Sequence, residues 1–214
     1  MLGLLGGTFD PVHIAHLRVA IEVRERLQLD EVRLIPAPNP RLRDAPQVDA
    51  ATRLRLLRAA IHGIQGVGID DRELSTSGPT RTVSTLLSVR EDEGDRPLCL
   101  IIGADAATRL DRWHHWEGLL ELAHLVIARR PGSELPRDGP VAELIEAHQD
   151  ERPSRLSECP AGVIHICDIP GLDISATAIR ERLAAGRSIE FMVPERAAQI
   201  LMEENLYATT TRTP

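Results

Sequence analysis

Six short apolar runs, separated by segments in which apolar residues recur at helical spacing, constrain the fold of this chain more than any other feature. The runs are "LGLLG" at 2–6, "EVRLIPA" at 31–37, "VGIDD" at 67–71, "LCLIIGA" at 98–104, "HLVIARR" at 124–130 and "GVIHICDI" at 162–169. Continuous apolar strands are what a parallel sheet covered on both faces requires. The alternation predicts an α/β fold with a Rossmann-like, doubly wound, mostly parallel sheet and helices on both faces.

The segments between the runs supply the predicted helices. Apolar residues recur at helical spacing before the second and third runs, at Leu17, Ala20, Ile21 and Leu27 and at Leu54, Leu57 and Ile61. Residues 131–161 carry much of the proline and charge, which favours a surface excursion with one helix near 140–149. The final "YATTTRTP" has neither period nor apolar content, so we expect a single domain over 1–207 and a disordered tail over 208–214.

Charge and composition exclude several classes of function. The net charge of −7 argues against a broad basic face for nucleic acid, and no apolar run approaches the roughly 20 residues of a membrane span. Every basic residue is arginine, which excludes a Walker-type phosphate loop and lysine-centred chemistry. Three cysteines without a signal peptide predict a reducing, cytoplasmic setting.

The first predicted strand runs into a loop suited to binding an anion. In "LLGGTFDPVHIAH", at 4–16, Gly6 and Gly7 allow a tight turn and close approach of the backbone to a ligand. His13 and His16 then lie three residues apart at the start of a predicted helix, where free N–H groups attract anions. The dinucleotide pattern G-x-G-x-x-G is missing, and the histidine spacing differs from the i, i+4 pair of metalloproteases, although zinc stays possible.

A second segment, "ISATAIRERLAAGRSIEFMVPE" at 174–195, offers another such helix start. Ser175 is a suitable N-cap, and Thr177 and Arg180 fall on one face of the following helix. Two helix starts can therefore hold the two ends of one triphosphate. The alternative is an ordinary capped helix with a solvated arginine.

Together these two segments resemble the nucleotidyltransferase superfamily with the T/H-x-G-H motif, whose members join a nucleotide to a phosphorylated alcohol or a mononucleotide and release pyrophosphate. Across nearly the whole chain the pattern is similar to the bacterial nicotinate-nucleotide adenylyltransferase family. In "LCLIIGADAATRLDRWHHWEGLL", at 98–120, Gly103 and Asp105 follow the fourth strand. Trp113 corresponds to the family's tryptophan that stacks on the pyridine ring, whereas Trp116 is interpreted as a packing residue.

Three positions depart from the family pattern. Ala15 replaces the glycine before the second histidine, and Leu42 falls where the family often has a histidine, leaving Arg43. Arg81 replaces the tyrosine of the family's S-Y-T, and Thr82 remains. The first two bear on phosphate contacts and the third on the mononucleotide side.

The resemblance implies that ATP and nicotinate mononucleotide give deamido-NAD and pyrophosphate by direct in-line attack on the α-phosphate. The expected catalytic residues are His13, His16 and Arg180. The expected ATP contacts are Gly6, Gly7, Thr8, Phe9, Gly103, Asp105, Ile174, Ser175, Thr177 and Arg180. The expected mononucleotide contacts are Arg43, Thr82, Asp105 and Trp113. Mg²⁺ is expected to arrive with ATP and not at a dedicated protein site.

Other readings of the sequence stay open. The chain could be another transferase of the superfamily, using pantetheine phosphate or CTP, or a nucleotide-binding regulator without turnover. A metal site built from Cys159, His165 and Cys167 is a further alternative. A homo-oligomer is possible, and the sequence does not fix the preference between nicotinate and nicotinamide mononucleotide.

Overall fold

All six predicted strands are present in the computed structural model, which describes residues 1–38, 45–76 and 80–208. They form one parallel sheet in the order β3-β2-β1-β4-β5-β6. Their bounds are β1 Leu2–Gly7, β2 Glu31–Pro36, β3 Val67–Ile69, β4 Leu98–Gly103, β5 His124–Arg129 and β6 Ile164–Asp168. The predicted doubly wound α/β fold is therefore confirmed.

The third strand is shorter than its apolar run predicts. The N–H of Asp70 still donates to the carbonyl oxygen of Leu34 in β2, at 3.0 Å. The Asp70 carboxylate then accepts from the backbone N–H of Arg72, at 3.2 Å, and a 3-10 turn begins over Arg72–Ser75. Local capping by an aspartate thus ends the strand.

Eight α-helices lie within the described residues. Their bounds are α1 Ile14–Arg26, α2 Ala50–Ala60, α3 Thr82–Glu93, α4 Ala104–Ala107, α5 Leu119–Leu122, α6 Gly139–His148, α7 Ala176–Ala184 and α8 Glu195–Glu203. Further 3-10 turns cover Leu110–Arg112, Trp116–Gly118 and Pro153–Ser157. None of the described helices is both long and apolar enough to cross a bilayer.

The two faces of the sheet carry separate apolar clusters. In β4, Cys99 and Ile101 join the cluster under α1, α2, α7 and α8, while Leu98, Leu100 and Ile102 join the one under α3 to α6. Successive side chains of a strand point to opposite faces. Burial on both faces explains why the strands read as continuous apolar runs.

Two packing predictions need correction. On α2 the buried residues are Arg53, Leu56, Leu57 and Ala60, so the predicted face at Leu54, Leu57 and Ile61 is rotated from the observed one. Residues 131–161 are mostly exposed and contain the predicted helix, as α6, but they are more than a surface excursion, because Val141, Ile145 and Leu156 are buried in the two clusters. This segment is the crossover that every parallel pair of strands requires, here joining β5 to β6.

Candidate active site

The winding of the sheet reverses between β1 and β4. Two cavities open at the carboxyl ends of the strands, a smaller one of about 260 Å³ and a larger one of about 700 Å³. Ligands of open α/β sheets bind at this switch point. The larger cavity collects seven of the predicted contact residues, Gly6, Gly7, Thr8, Thr82, Gly103, Asp105 and Trp113. Arg43 and Leu42 lie outside the described residues, as do residues 209–214 of the predicted tail.

Gly7 and Phe9 shape the loop that follows β1. A Cβ atom on Gly7 would lie 2.8 Å from Cζ of Phe9, so only glycine lets the ring close under the loop. The Phe9 side chain is 1% exposed, and its ring makes an edge contact with His16, with centroids 5.1 Å apart. The prediction that Phe9 contacts ATP can therefore hold only for its backbone, while its side chain supports His16.

His13 and His16 are stacked, with ring centroids 3.6 Å apart. His13 is the N-cap of α1, and its backbone N–H donates to Nδ1 of His16 at 3.3 Å. A nitrogen that accepts carries no proton, so neutral His16 has its N–H at Nε2.

Burial determines the charge state of His13. Its side chain is buried, and burial, followed by the charge of Arg130, lowers its pKa to about 4. His13 is therefore neutral near pH 7. It can contribute a hydrogen bond but no charge.

The second predicted segment meets the first directly. Ser175 is the N-cap of α7, and its hydroxyl oxygen accepts from the N–H of Ala178 at 3.2 Å. Arg180 donates to the carbonyl oxygen of Asp10 at 2.7 Å and to the hydroxyl oxygen of Thr177 at 3.3 Å. Segments 170 residues apart therefore converge on the loop after β1.

Six further predicted site residues do not line the larger cavity. They stand beside it, around the loop at Asp10 and the start of α1, and comprise His13, His16, Ile174, Ser175, Thr177 and Arg180. The smaller cavity lies at the ends of β5 and β6 and is lined by Arg129, Arg130, Pro131, Gly132, Ser133, Asp168 and Ile169. Arg130, which lines this smaller cavity, is the residue whose charge acts on His13.

Asp10 contacts several distant parts of the chain, and its sequence context does not predict these contacts. Its carboxylate accepts from the hydroxyl of Tyr207 at 2.6 Å and from the backbone N–H of Gln47 at 2.9 Å. The same carboxylate lies 3.9 Å from the guanidinium of Arg180. Burial and the bond to Asp10 raise the pKa of Tyr207, so its hydroxyl stays a donor. Asp10 therefore ties the loop after β1 to three distant parts of the chain.

Arg53 of α2 is the other residue that sequence reasoning missed. It is 1% exposed, and it donates to the carbonyl oxygens of Thr8 at 2.6 Å, Ala37 at 2.7 Å and Pro38 at 2.8 Å. Burial lowers its pKa. A guanidinium presents five donors in a fixed fork, which suits it to holding several carbonyls at once. Arg53 thus joins the loops that follow β1 and β2.

Trp113 and Trp116 both pack against the apolar cluster under α3 to α6, but only Trp113 also lines the larger cavity.

The metal alternative gains no support from the structure. His165 bonds to the carbonyl oxygen of Asp150, Cys159 to that of Ala161, and Cys167 is buried in the core. Within the described ranges no group of three or more His, Cys, Asp or Glu side chains is placed to hold a metal ion.

The chain is similar to known proteins along nearly its whole length. Residues 4–182 match the family model described as cytidylyltransferase-like. A protein of Methylococcus capsulatus named "Probable nicotinate-nucleotide adenylyltransferase" is 42% identical over 209 residues, covering 97% of this chain and 100% of the relative. A protein of the same name from Pseudomonas putida strain W619 is 42% identical over 207 residues, covering 96% of this chain and 94% of the relative.

The solved structures support the fold. The nicotinic acid mononucleotide adenylyltransferase of Plasmodium falciparum, complexed with NaAD, aligns with a TM-score of 0.73 at 17% identity, covering 96% of each chain. At 17% identity this similarity shows the fold alone. The family is shown by the bacterial relatives, which match over nearly their full length at 42% identity. The chain therefore belongs to the cytidylyltransferase-like nucleotidyltransferases, and within them to the nicotinate-nucleotide adenylyltransferase family.

Proposed function

We propose that this chain transfers the adenylyl group of ATP to nicotinate mononucleotide, giving deamido-NAD and pyrophosphate. The observation that carries the proposal is the contact between Arg180 and Asp10, which joins two anion-binding segments beside a cavity large enough for a mononucleotide. Membership of the nicotinate-nucleotide adenylyltransferase family gives the substrates.

The larger cavity would hold the mononucleotide. Trp113 offers an aromatic face to the pyridine ring, and Asp105 offers carboxylate oxygens that can accept from ribose hydroxyls. The Asp105 carboxylate already leans over the end of β4, since a Cβ on Gly103 would lie 2.5 Å from its Oδ1. Thr82 lies at the start of α3, where a helix N-terminus favours negative charge.

The phosphates of ATP would lie along the loop after β1 and the starts of α1 and α7. In the reaction, a phosphate oxygen of the mononucleotide forms a bond to the α-phosphorus of ATP. The bond from that phosphorus to the bridging oxygen breaks, and pyrophosphate leaves with the electron pair. Such a transfer needs positioning and charge stabilisation and no enzyme-bound intermediate.

Each phosphate-side residue has a defined part in this proposal. His16 donates through Nε2 to the α-phosphate oxygens, and neutral His13 orients His16 by stacking and by its backbone N–H. Arg180 supplies positive charge for the departing β- and γ-phosphates, with its guanidinium held by Asp10 and Thr177. The free N–H groups at the start of α7, next to Ser175, assist Arg180.

Mg²⁺ belongs to this proposal as part of the nucleotide. In this proposal the ion is held by phosphate oxygens and water and not by a cage of protein side chains. When bound, the ion would neutralise phosphate charge. We further propose a cytoplasmic setting, which the three free cysteines support, and no nucleic-acid or membrane partner.

One assay tests the proposal and its rivals. The protein is supplied with Mg²⁺, with either ATP or CTP, and with nicotinate mononucleotide, nicotinamide mononucleotide, pantetheine phosphate or no acceptor. The dinucleotide and the pyrophosphate formed are measured. We expect one pyrophosphate per deamido-NAD. Nucleotide binding without pyrophosphate release would identify a regulator, and turnover only with pantetheine phosphate, or only with CTP in place of ATP, would identify another transferase of the superfamily.

A further inference from the structure

Arg81 stands where helix geometry does not favour a cation. It is the N-cap of α3, with φ −133° and ψ 135°, and its side chain caps no helix N–H. The first turn of α3 contains no acidic residue. Cations are disfavoured at this end of a helix, where the macrodipole is positive. A residue that breaks a local rule without local compensation points to a functional constraint.

The Arg81 guanidinium has no carboxylate partner in the described part of the chain. Glu73 lines the same cavity, but its two oxygens accept from the hydroxyls of Thr80 and Thr85, each at 2.7 Å. Arg109 and Arg112 also line the cavity, and neither forms an ion pair with a described carboxylate. Counting the carboxylates of Glu73 and Asp105, the lining of the larger cavity therefore holds three guanidinium groups against two carboxylates.

One side chain does hold Arg81. Its Nη1 lies 2.5 Å from Nε2 of His114. A guanidinium can only donate, so the His114 Nε2 must accept. His114 directly follows Trp113, and both line the cavity, so this bond fixes the guanidinium on the side of the cavity that carries the aromatic face.

We propose that Arg81, oriented by His114, selects the carboxylate on the pyridine ring of nicotinate mononucleotide against the uncharged carboxamide of the nicotinamide form. The inference rests on the proposed function and deepens it. A guanidinium binds a carboxylate through charge-assisted, often paired hydrogen bonds, and a carboxamide offers one neutral oxygen.

The test measures kcat/KM for both mononucleotides, at saturating ATP and Mg²⁺, in the wild type and in Arg81→Gln and Arg81→Tyr. Loss of one charge-assisted contact should lower kcat/KM for the acid about 10- to 100-fold. We expect kcat/KM for the amide to change less than about threefold, and the KM for ATP to stay the same. Turnover of the amide thereby reports that the variants are folded.

A second variant tests the orienting contact. His114→Leu removes the acceptor and leaves Arg81 in place. The ratio of acid to amide kcat/KM should fall, but by less than in Arg81→Gln. An unchanged ratio would remove His114 as the positioning residue. The control is Arg137→Gln, which removes the same charge from an exposed arginine outside the cavity and should leave the ratio unchanged.

The possible outcomes separate this inference from the proposed function. Equal losses for acid and amide in Arg81→Gln would mean that Arg81 binds the phosphate shared by both mononucleotides, and would overturn the inference. An unchanged kcat/KM for the acid in Arg81→Gln would also overturn it. A wild type that forms no dinucleotide with either mononucleotide would refute the proposed function itself.

Discussion

Replacing Arg53 with methionine should destabilise the protein by about 2–4 kcal/mol. The guanidinium makes three hydrogen bonds to carbonyl oxygens, all 2.6–2.8 Å long. Each bond from a charged donor contributes about 1.5–3 kcal/mol, so the three contribute about 5–9 kcal/mol. Burying the guanidinium costs several kcal/mol, and methionine of similar length does not incur that cost. The difference between the hydrogen-bond contribution and the cost of burial is the expected loss in the free energy of unfolding.

Chemical denaturation and thermal melting measure this loss directly. For a chain of this size, about 2–4 kcal/mol corresponds to a fall in Tm of about 5–15 °C. Arg55→Met is the matched control, since Arg55 lies on the same helix but makes an exposed ion pair with Glu204 and should cost less than about 1 kcal/mol. The stability loss in Arg53→Lys should lie between those of Arg53→Met and Arg55→Met, because an ammonium cannot hold three separated carbonyls. A change below about 1 kcal/mol in Arg53→Met would refute the reasoning.

Three further predictions concern the site. His16→Ala should lower turnover about 10²- to 10⁴-fold with folding retained, and a variant within threefold of the wild type would remove His16 from the mechanism. Trp113→Ala should weaken mononucleotide binding by about 1–3 kcal/mol in calorimetry and leave ATP affinity nearly unchanged, whereas equal losses would indicate packing alone. Because the folded-state pKa of His13, about 4, lies below its unfolded value of 6.5, its contribution to stability is complete above pH 6.5 and is lost as the pH falls toward 4. The free energy of unfolding, measured by denaturation at pH 7 and at pH 5, should therefore fall less between these pH values in His13→Asn than in the wild type. An identical fall in both proteins would contradict the assignment of His13 as buried and neutral.

The parts of the fold that local sequence encodes were predictable, and those that depend on distant backbone were not. Six apolar runs gave six strands because strands buried on both faces are recognisable without their partners. Ser175 was predictable as an N-cap because the capping bond spans three residues. Arg53 was not, since its partners are carbonyl groups 15 to 45 residues away and an arginine on an amphipathic helix normally faces water.

The protonation state of the histidines was the other property that the sequence did not predict. The spacing of His13 and His16 correctly placed both at the start of a helix, but spacing carries no information about burial. Burial is what lowers the pKa of His13, and it arises from the surrounding tertiary packing. Arg81 shows the converse, because its departure from the family pattern was visible in the sequence while its contact with His114 was not.

The hydrogen bond from Tyr207 to Asp10 has a consequence for synthesis on the ribosome. The loop that carries Asp10 emerges early, yet the hydroxyl that fixes its carboxylate is translated 197 residues later. A nascent chain that stops short of Tyr207 has every strand of the sheet but lacks one of the contacts that hold this loop. The full set of hydrogen bonds to the Asp10 carboxylate therefore becomes available only after all six strands have been translated.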